Sequence, residues 1–206
     1  MPELPEVETI RRDLEPELTG RVNVDVEVHK ADIVLPPHDP ESFGRRLTGR
    51  RVIAVGRRAK YLLFRLDDGS VLQVQLRMSG RFALGREVPD PAEFRHIAAR
   101  LRLDDGRTLY YDDVRRLGGF RLLAGSDWEV EAARLGPEPL EPRYRAADLG
   151  RMLAATRSPV KNALMDQRRV AGVGNIYASE ALFRAGVDPR RPGRSLAPDE
   201  VRRLHR

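Results

Sequence analysis

The start of the chain contains two different hydrophobic patterns. Apolar residues recur at helical spacing within residues 2–19, which predicts one helix before Gly20. The positions are Val7, Ile10, Leu14 and Leu18. Pro16 is expected to end the regular helix early, because proline lacks a backbone N–H. In the next segment, RVNVDVEVHK, valine occupies every second position, 22 to 28, which predicts a half-buried strand.

Two Asp-Gly turns divide the strand-like sequence that follows. The first turn, Asp67-Asp68-Gly69, lies between RRVIAVGRRAKYLLFRL and SVLQVQLRMSGRF. The second, Asp104-Asp105-Gly106, lies between AARLRL and RTLYYDD. Asp-Gly between alternating runs is a strong hairpin signal. With a loop and a short helix at 31–49, residues 1–126 are expected to form a mostly β domain behind one helix.

The rest of the chain, residues 127–206, has a helical character. LGPEPLEPR, with three prolines, is typical of a stiff connector. Helical patterns follow at 145–155, 160–168, 176–185 and 198–206, and VAGVGN separates two of them. The last pattern ends at LHR without a cap, glycine or proline, which favours a chain that is cut within a helix.

Composition narrows the classes of function. The 206 residues carry a formal net charge of +6, mostly through arginine, a residue suited to bidentate phosphate contacts. With 31 acidic residues, charge alone leaves both a nucleic-acid partner and a merely charged surface open. The lack of cysteine excludes disulfides, thiolate catalysis and cysteine-based zinc sites in these residues. No apolar run approaches the ~18 residues of a membrane span, so we expect a soluble intracellular protein.

The opening MPELPEVE has two interpretations. It fits an ordinary helix start, with proline and acidic residues in the first turn. Alternatively, removal of Met1 exposes the secondary amine of Pro2, which attacks electrophilic carbon and forms a cationic iminium with an aldehyde. Glu3 then lies near the attacked atom as a general acid or base. Lys60 is suited to binding a phosphate or moving a proton, but the sequence does not place it near Pro2.

Three further segments carry candidate chemistry. Met78 in RMSG fits either core packing or an apolar wedge in a base stack. Arg115 and Leu117 in DDVRRLGGF fit either a polar turn with one buried leucine or the pair that holds open the site of a flipped base. In VAGVGNIYASE, a glycine-rich turn precedes a helix, and Asn175 either caps that helix or donates to a phosphate.

Taken in order, these segments resemble bacterial formamidopyrimidine-DNA glycosylases. The matching stretches are PELPEVET (2–9), RRAKYLL (57–63), RMSG (77–80), VRRLG (114–118), LGPEPL (135–140) and VKNALMDQRRVAGVGNIYASEALFRAG (160–186). The resemblance implies an α+β fold, with an N-terminal β-sandwich followed by a helix–two-turn–helix domain. It also implies a base excision repair glycosylase and AP lyase. Such an enzyme removes oxidised purines, such as 8-oxoguanine and formamidopyrimidines, and cuts the strand by β,δ-elimination through a Schiff base.

The resemblance also implies roles for individual residues. Pro2 attacks C1′ of the flipped nucleoside, Glu3 assists ring opening by proton transfer, and Glu6 supports the site. Lys60 contacts phosphate and donates a proton during elimination. The implied DNA contacts are Gln75, Met78, His96, Arg115, Leu117, Arg157, Lys161, Gly174, Asn175 and Ile176. Among these, Arg115 faces the orphaned cytosine.

The chain departs from the family pattern in several places. Leu117 stands where phenylalanine is usual and Gln75 where histidine is common, while Phe94 takes the position of a DNA-contacting histidine, with His96 beside it. The family's C-terminal zinc finger of four cysteines is absent from these residues. We therefore expect no cofactor in this chain, although zinc is expected in full-length relatives, and a fragment or partial gene is favoured.

Other interpretations stay open. Leu117 leans toward an endonuclease VIII-like relative that prefers oxidised pyrimidines, whereas such relatives tend to begin PEGPE and this chain begins PELPE. The missing finger favours a DNA-binding fragment without full turnover. The presence of the four residues Pro2, Glu3, Glu6 and Lys60 opposes that interpretation. On the resemblance, we expect a cytoplasmic, nucleoid-associated bacterial monomer that binds damaged double-stranded DNA.

Overall fold

The protein consists of two compact units. The computed structural model describes residues 2–206; the first unit extends to Glu129 and the second runs from Val130 to Arg206. The sequence-based prediction divides the chain after residue 126. The first unit is mostly β-structure and the second is helical, so the predicted α+β class is confirmed.

In the described part of the first unit, eight antiparallel strands form two four-stranded sheets. The strands are β1 Asn23–Val28, β2 Val52–Arg58, β3 Tyr61–Leu66, β4 Ser70–Gln75, β5 Gly80–Gly85, β6 Ile97–Leu103, β7 Thr108–Asp113 and β8 Gly119–Ala124. One sheet has the order β1-β6-β7-β5 and the other β2-β3-β4-β8. Apolar side chains from both sheets form one buried core, as in a β-sandwich.

Helix α1 spans Leu4–Leu18 and contacts β2. Its apolar face is buried, as the helical spacing predicts. The expectation that Pro16 ends the helix early is wrong. Proline in the final turn removes only one backbone donor, while Leu18 beyond it is buried and the Thr19 N–H still donates to the Glu15 carbonyl at 3.1 Å.

The valine alternation in β1 is interrupted by a β-bulge. The pairing of β1 with β6 shifts between Asn23 and Asp25. Val24, predicted to share the buried face, is exposed instead. An extra residue in one strand changes the face to which the following side chains point. Val26 and Val28 keep their contact with the core.

Each of the two long strand-like segments forms two strands. RRVIAVGRRAKYLLFRL folds into β2 and β3 around a turn at residues 59–60. SVLQVQLRMSGRF forms β4 and β5, which lie in different sheets. Both predicted Asp-Gly hairpins are confirmed, because β3 pairs with β4 and β6 pairs with β7.

The predicted helices all form. They are α2 Pro40–Leu47 in the first unit and, in the second, α4 Ala146–Ala154, α5 Val160–Met165, α6 Asn175–Ala185 and α7 Pro198–His205, which share a separate core. A further helix, α3 (Gly125–Ala132), is absent from the prediction, because it buries Trp128 rather than an apolar stripe. Within residues 2–206, no helix has both the length and the apolar character of a membrane span.

Candidate functional site

Three loops that carry candidate residues meet at one end of the sandwich. Gln75 ends β4, and its Cα pairs with Tyr61 at the start of β3 and with Gly119 at the start of β8. We call this end the loop end. It comprises the β2–β3 turn (59–60), the β4–β5 loop (76–79) and the β7–β8 loop (114–118).

Glu3 begins helix α1 and has an exposed fraction of 0%. Its carbonyl oxygen accepts the first helical hydrogen bond from the Val7 N–H at 3.0 Å. Its own N–H donates to Oε2 of Glu6 at 2.8 Å, which is the side-chain bond of a capping box. Glu6 therefore fixes the backbone at Glu3, and the buried carboxyl group of Glu3 is held one residue from Pro2.

Lys60 lies in the β2–β3 turn, where its charge interacts with that of Glu3. Burial lowers the pKa of the Lys60 ammonium below its ordinary value; the carboxylate of Glu3 opposes this effect, and the Arg77 guanidinium adds to it. The fold therefore brings Lys60 to the start of helix α1, which the sequence alone does not predict. A lysine that releases its proton more readily is suited to proton transfer.

Met78 and Leu117 are exposed at the tips of their loops. Their exposed fractions are 41% and 52%, so the interpretations that bury either side chain in the core are wrong. Arg115 is also exposed, on the same loop as Leu117. The loop end thus presents one apolar side chain from each of two loops, together with an arginine.

His96 is exposed just before β6, and a buried carboxylate fixes its backbone. Asp112 accepts hydrogen bonds from the His96 N–H at 2.6 Å and from Nε of Arg81 at 3.2 Å. The Arg81 guanidinium lies 4.1 Å from the centre of the Phe94 ring. These contacts order residues 94–96, the segment in which Phe94 stands at the position of the expected histidine and His96 lies two residues later.

Two consecutive aspartates at the end of β7 are missing from the predicted site. Asp112 and Asp113 are completely buried. Asp113 accepts hydrogen bonds from both neighbouring loops. The sequence does contain a signal for them, because aspartate is depleted in strands and is buried only when it has partners.

In the second unit, a glycine-rich turn leads into helix α6. Gly174 is the N-cap and Asn175 the first helical residue, so the interpretation of Asn175 as the cap is wrong. Gln167, also missing from the prediction, holds the turn. Its side chain accepts from the Gly172 N–H and donates to the Val173 carbonyl, both at 2.8 Å. The exposed Asn175 side chain therefore lies at a helix N-terminus, a favourable place for an anion.

Arg157, Lys161 and Ile176 are the other candidate contacts of the second unit. Arg157 is exposed between α4 and α5, and Lys161 is partly buried in the first turn of α5. Ile176 is exposed in the first turn of α6. Their contacts with a nucleic acid stay predictions.

The zinc finger that the resemblance implies for longer proteins has no counterpart in the described residues. The sequence contains no cysteine. Within residues 2–206, no cluster of three or more His, Asp or Glu side chains could hold a metal ion. The described residues therefore lack the four cysteines that such a finger would use.

Two family models match the chain. The model described as the formamidopyrimidine-DNA glycosylase N-terminal domain matches residues 1–120. The model described as the formamidopyrimidine-DNA glycosylase H2TH domain matches residues 135–206. The formamidopyrimidine-DNA glycosylase of Moorella thermoacetica is 46% identical over 206 residues, which covers 99% of this chain and 74% of the relative.

Solved structures are similar over nearly the whole chain. The MutM (Fpg) protein from Thermus thermophilus is 42% identical, with a TM-score of 0.82 over 99% of this chain and 72% of that protein. The Lactococcus lactis Fpg, in a complex with DNA that contains an abasic site, is 31% identical, with a TM-score of 0.88. That match covers 99% of this chain and 74% of the Lactococcus protein.

Proposed function

The chain belongs to the formamidopyrimidine-DNA glycosylase family, and from this premise we propose how its residues act on DNA. It is a DNA-binding glycosylase of base excision repair. We propose that it removes oxidised purines, 8-oxoguanine and formamidopyrimidines, from damaged double-stranded DNA. The names of its relatives support formamidopyrimidines as substrates.

The proposed nucleophile is the secondary amine of Pro2 after removal of Met1. Its nitrogen forms a bond to C1′ while the bond from C1′ to the damaged base breaks, and the departing base takes a proton from solvent. The Glu3 carboxylate accepts the proton that the Pro2 nitrogen loses and passes it to the ring oxygen, so that the sugar opens and a cationic iminium links C1′ to Pro2. One observation carries this proposal: Glu3 is fully buried beside Pro2 and within electrostatic range of Lys60.

The iminium is an electron sink for strand cleavage. Loss of a proton from C2′ to solvent allows the C3′–O bond to break and the 3′ phosphate to leave. Loss of a proton from C4′ then breaks the C5′–O bond and releases the 5′ phosphate. We propose that Lys60 contacts a phosphate and donates a proton in these steps. The lowered pKa of Lys60 supports this role, because its ammonium transfers a proton more readily than an exposed lysine does.

The proposed DNA contacts divide between stack filling and backbone binding. Met78 and Leu117 fill the space left by the flipped nucleotide, and Arg115 faces the orphaned cytosine. Their exposure at the loop end supports this role. The proposed contacts with the rest of the DNA are Gln75, His96, Arg157, Lys161, Gly174, Asn175 and Ile176. We also propose a cofactor-free monomer that works on the nucleoid in the bacterial cytoplasm.

Borohydride trapping tests the proposed nucleophile. The protein, with loss of Met1 confirmed by mass spectrometry, is incubated with a duplex that carries 8-oxoguanine opposite cytosine and with a second duplex that carries an abasic site. We expect a covalent crosslink with both duplexes. Pro2→Gly should abolish most trapping, whereas Pro5→Ala, which changes a proline in the first turn of α1, should not.

Each other outcome has a defined meaning. Trapping by Pro2→Gly at the wild-type rate would refute Pro2 as the nucleophile. A crosslink with the abasic duplex alone would show that the lyase chemistry proceeds without capture of 8-oxoguanine. Preference for a thymine-glycol duplex would favour the oxidised-pyrimidine alternative, and binding without a crosslink would favour a DNA-binding protein without turnover.

A further inference from the structure

Asp113 connects the two loops whose tips carry Met78 and Leu117. Its Oδ1 accepts a hydrogen bond from the Ser79 hydroxyl at 2.5 Å, and its Oδ2 accepts one from the Gly118 N–H at 2.8 Å. Ser79 directly follows Met78, and Gly118 directly follows Leu117. One fully buried carboxylate therefore joins the residues next to both tips.

Ser79 extends this connection to the backbone of Arg115. Its hydroxyl oxygen accepts a hydrogen bond from the Arg115 N–H at 3.1 Å while its O–H donates to Asp113. The Asp113 carbonyl oxygen also accepts from the Arg116 N–H at 3.2 Å. Three backbone N–H groups of the β7–β8 loop, those of residues 115, 116 and 118, are thus held by Asp113 or Ser79.

The Tyr111 hydroxyl fills the space beneath the two loops. It donates to Oδ2 of Asp113 at 3.3 Å. A Cβ atom at Gly80, the first residue of β5, would lie 2.5 Å from this hydroxyl, and one at Gly118 would collide with it, so the close approach requires glycine at both positions. Burial raises the pKa of Tyr111, with the nearby Asp113 charge adding to the effect, so the hydroxyl keeps its proton and stays a donor.

We infer that Asp113, acting through Ser79, is a positioning residue that holds Met78, Arg115 and Leu117 in one arrangement before DNA binds. The inference rests on the proposed stack-filling role of these three side chains. A loop that is ordered in advance loses less conformational freedom on binding. The network therefore favours base excision from duplex DNA without touching the damaged nucleotide.

Ser79→Ala tests the connection between the two loops. It removes one partly buried hydroxyl and leaves the core intact. We expect single-turnover excision of 8-oxoguanine opposite cytosine to fall about five- to tenfold, as for the loss of one hydrogen bond. Ser79→Thr, which keeps the hydroxyl, should excise at the wild-type rate. If Ser79→Thr were as slow as Ser79→Ala, the inference would be overturned.

Ser70→Ala is a matched control. The Ser70 hydroxyl also donates to an aspartate, Oδ1 of Asp68 at 2.6 Å. Ser70 lies at the β3–β4 turn, at the end of β4 opposite the β4–β5 loop that carries Ser79. We expect this variant to keep the wild-type excision rate. An equal loss in both serine variants would show a general effect on stability and would contradict a role at the loop end.

A triple variant that lacks the three tip side chains distinguishes a role in positioning those side chains from a general role in stability. In Met78→Ala/Arg115→Ala/Leu117→Ala, adding Ser79→Ala should cause no further loss of excision, because the tips through which Ser79 acts are gone. The same fold-loss in both backgrounds would overturn the inference. Asp113→Asn, whose amide presents donors where the carboxylate accepts, should reduce excision more than Ser79→Ala and should show the same dependence on the tips.

Trapping on a single-stranded abasic oligonucleotide separates this inference from the proposed function. That reaction needs the Pro2 amine but no filling of a base stack. We expect Ser79→Ala to trap as the wild type does. If the wild type traps neither this oligonucleotide nor the abasic duplex, the proposed nucleophile is wrong. If Ser79→Ala alone fails on the oligonucleotide, Ser79 acts on the reacting centre rather than through the tips.

Discussion

Each of three candidate residues directly follows a residue whose backbone is in the left-handed conformation. In the part of the chain that the structure describes, the non-glycine residues with positive φ are Ala59, Arg77 and Arg116, at 53°, 53° and 49°. The residues that follow them are Lys60, Met78 and Leu117. Each such conformation costs on the order of 1 kcal/mol or more. Of these three following residues, Met78 and Leu117 are exposed at the loop tips, and Lys60 is half-buried within electrostatic range of Glu3.

Lys60→Arg tests the proton-donor role of Lys60. Because the pKa of Lys60 is lowered, its ammonium is lost at lower pH than an ordinary lysine's, and strand cleavage should decline there. Arginine stays protonated throughout this range. Because arginine does not give up that proton, we expect Lys60→Arg to cut a preformed abasic duplex more slowly, and its remaining rate to lack the alkaline decline that loss of the Lys60 proton causes. If Lys60→Arg kept the same decline at alkaline pH, a group other than Lys60 would be responsible for that decline.

Arg115→Ala tests recognition of the orphaned base. Losing a bidentate contact to one base costs about 1–3 kcal/mol of discrimination. We therefore expect the preference for cytosine over adenine opposite 8-oxoguanine to fall about tenfold, measured as a ratio of single-turnover rates. Arg116→Ala removes an equal charge that pairs with Asp32 at 3.2 Å, and should leave the ratio unchanged. Equal effects of both changes would contradict a specific contact by Arg115.

At the scale of elements, a largely buried ion pair fastens helix α1 to the β2–β3 turn. Nε of Arg57 donates to Oε2 of Glu8 at 2.9 Å. Nη1 of the same arginine donates to the Ala59 carbonyl at 2.9 Å. The helix that begins at Glu3 is therefore bound to the turn that presents Lys60, which keeps the two groups at a fixed separation.

Glu8→Gln tests this attachment through stability. Burial raises the pKa of Glu8, but hydrogen bonds from Arg11, Arg57 and Arg12 outweigh it and lower the pKa from 4.5 to about 2. The stabilisation is therefore present above about pH 4.5 and is lost as the pH falls toward about 2. We expect Glu8→Gln to lower the free energy of unfolding by about 2–3 kcal/mol at neutral pH. In urea titrations, the difference should shrink in acid.

Glu15→Gln provides the comparison for that experiment. Glu15 also pairs with Arg11, but its side chain is 49% exposed, so solvent screens the pair. We expect a loss below about 1 kcal/mol. If both variants lost the same stability, or if the effect of Glu8→Gln did not depend on pH, the attachment would not rest on the Glu8 charge.

At the scale of the whole molecule, candidate DNA contacts occur in both units, and many arginines are already paired. The formal charge of +6 results from 37 Lys and Arg against 31 acidic residues. Arg190, for example, donates to Asp188 at 2.8 Å. Net charge therefore describes the field around the protein but does not identify the cations that meet phosphates.

Lys161→Ala tests this distinction by salt dependence. A side chain that neutralises a phosphate contributes about one unit to the slope of log affinity against log salt concentration. We expect Lys161→Ala to flatten the slope by about one. Arg190→Ala, which removes the same formal charge, should leave it nearly unchanged because Asp188 already neutralises that guanidinium. Equal slopes for the two variants would assign the effect to net charge alone.

Much of the secondary structure follows from local pattern, and the exceptions have physical causes. The spacing in α1 and the Asp-Gly turns predict their elements correctly, because each is decided by neighbours in sequence. Pro16 is tolerated because burial of Leu18 outweighs one lost hydrogen bond. The bulge at Val24 depends on pairing with β6, a strand far away in sequence, so no local pattern reveals it.

The sequence by itself determined the α+β class, the family and the identity of the candidate residues, since each is carried by residue types at short, ordered spacings. Only the tertiary structure decided that Lys60 lies within range of Glu3 and that Met78 and Leu117 are exposed. It also decided that Asp113 joins two loops. Burial, a pKa and a hydrogen bond between loops depend on which distant segments pack together, and strand pairing across the two sheets sets that packing.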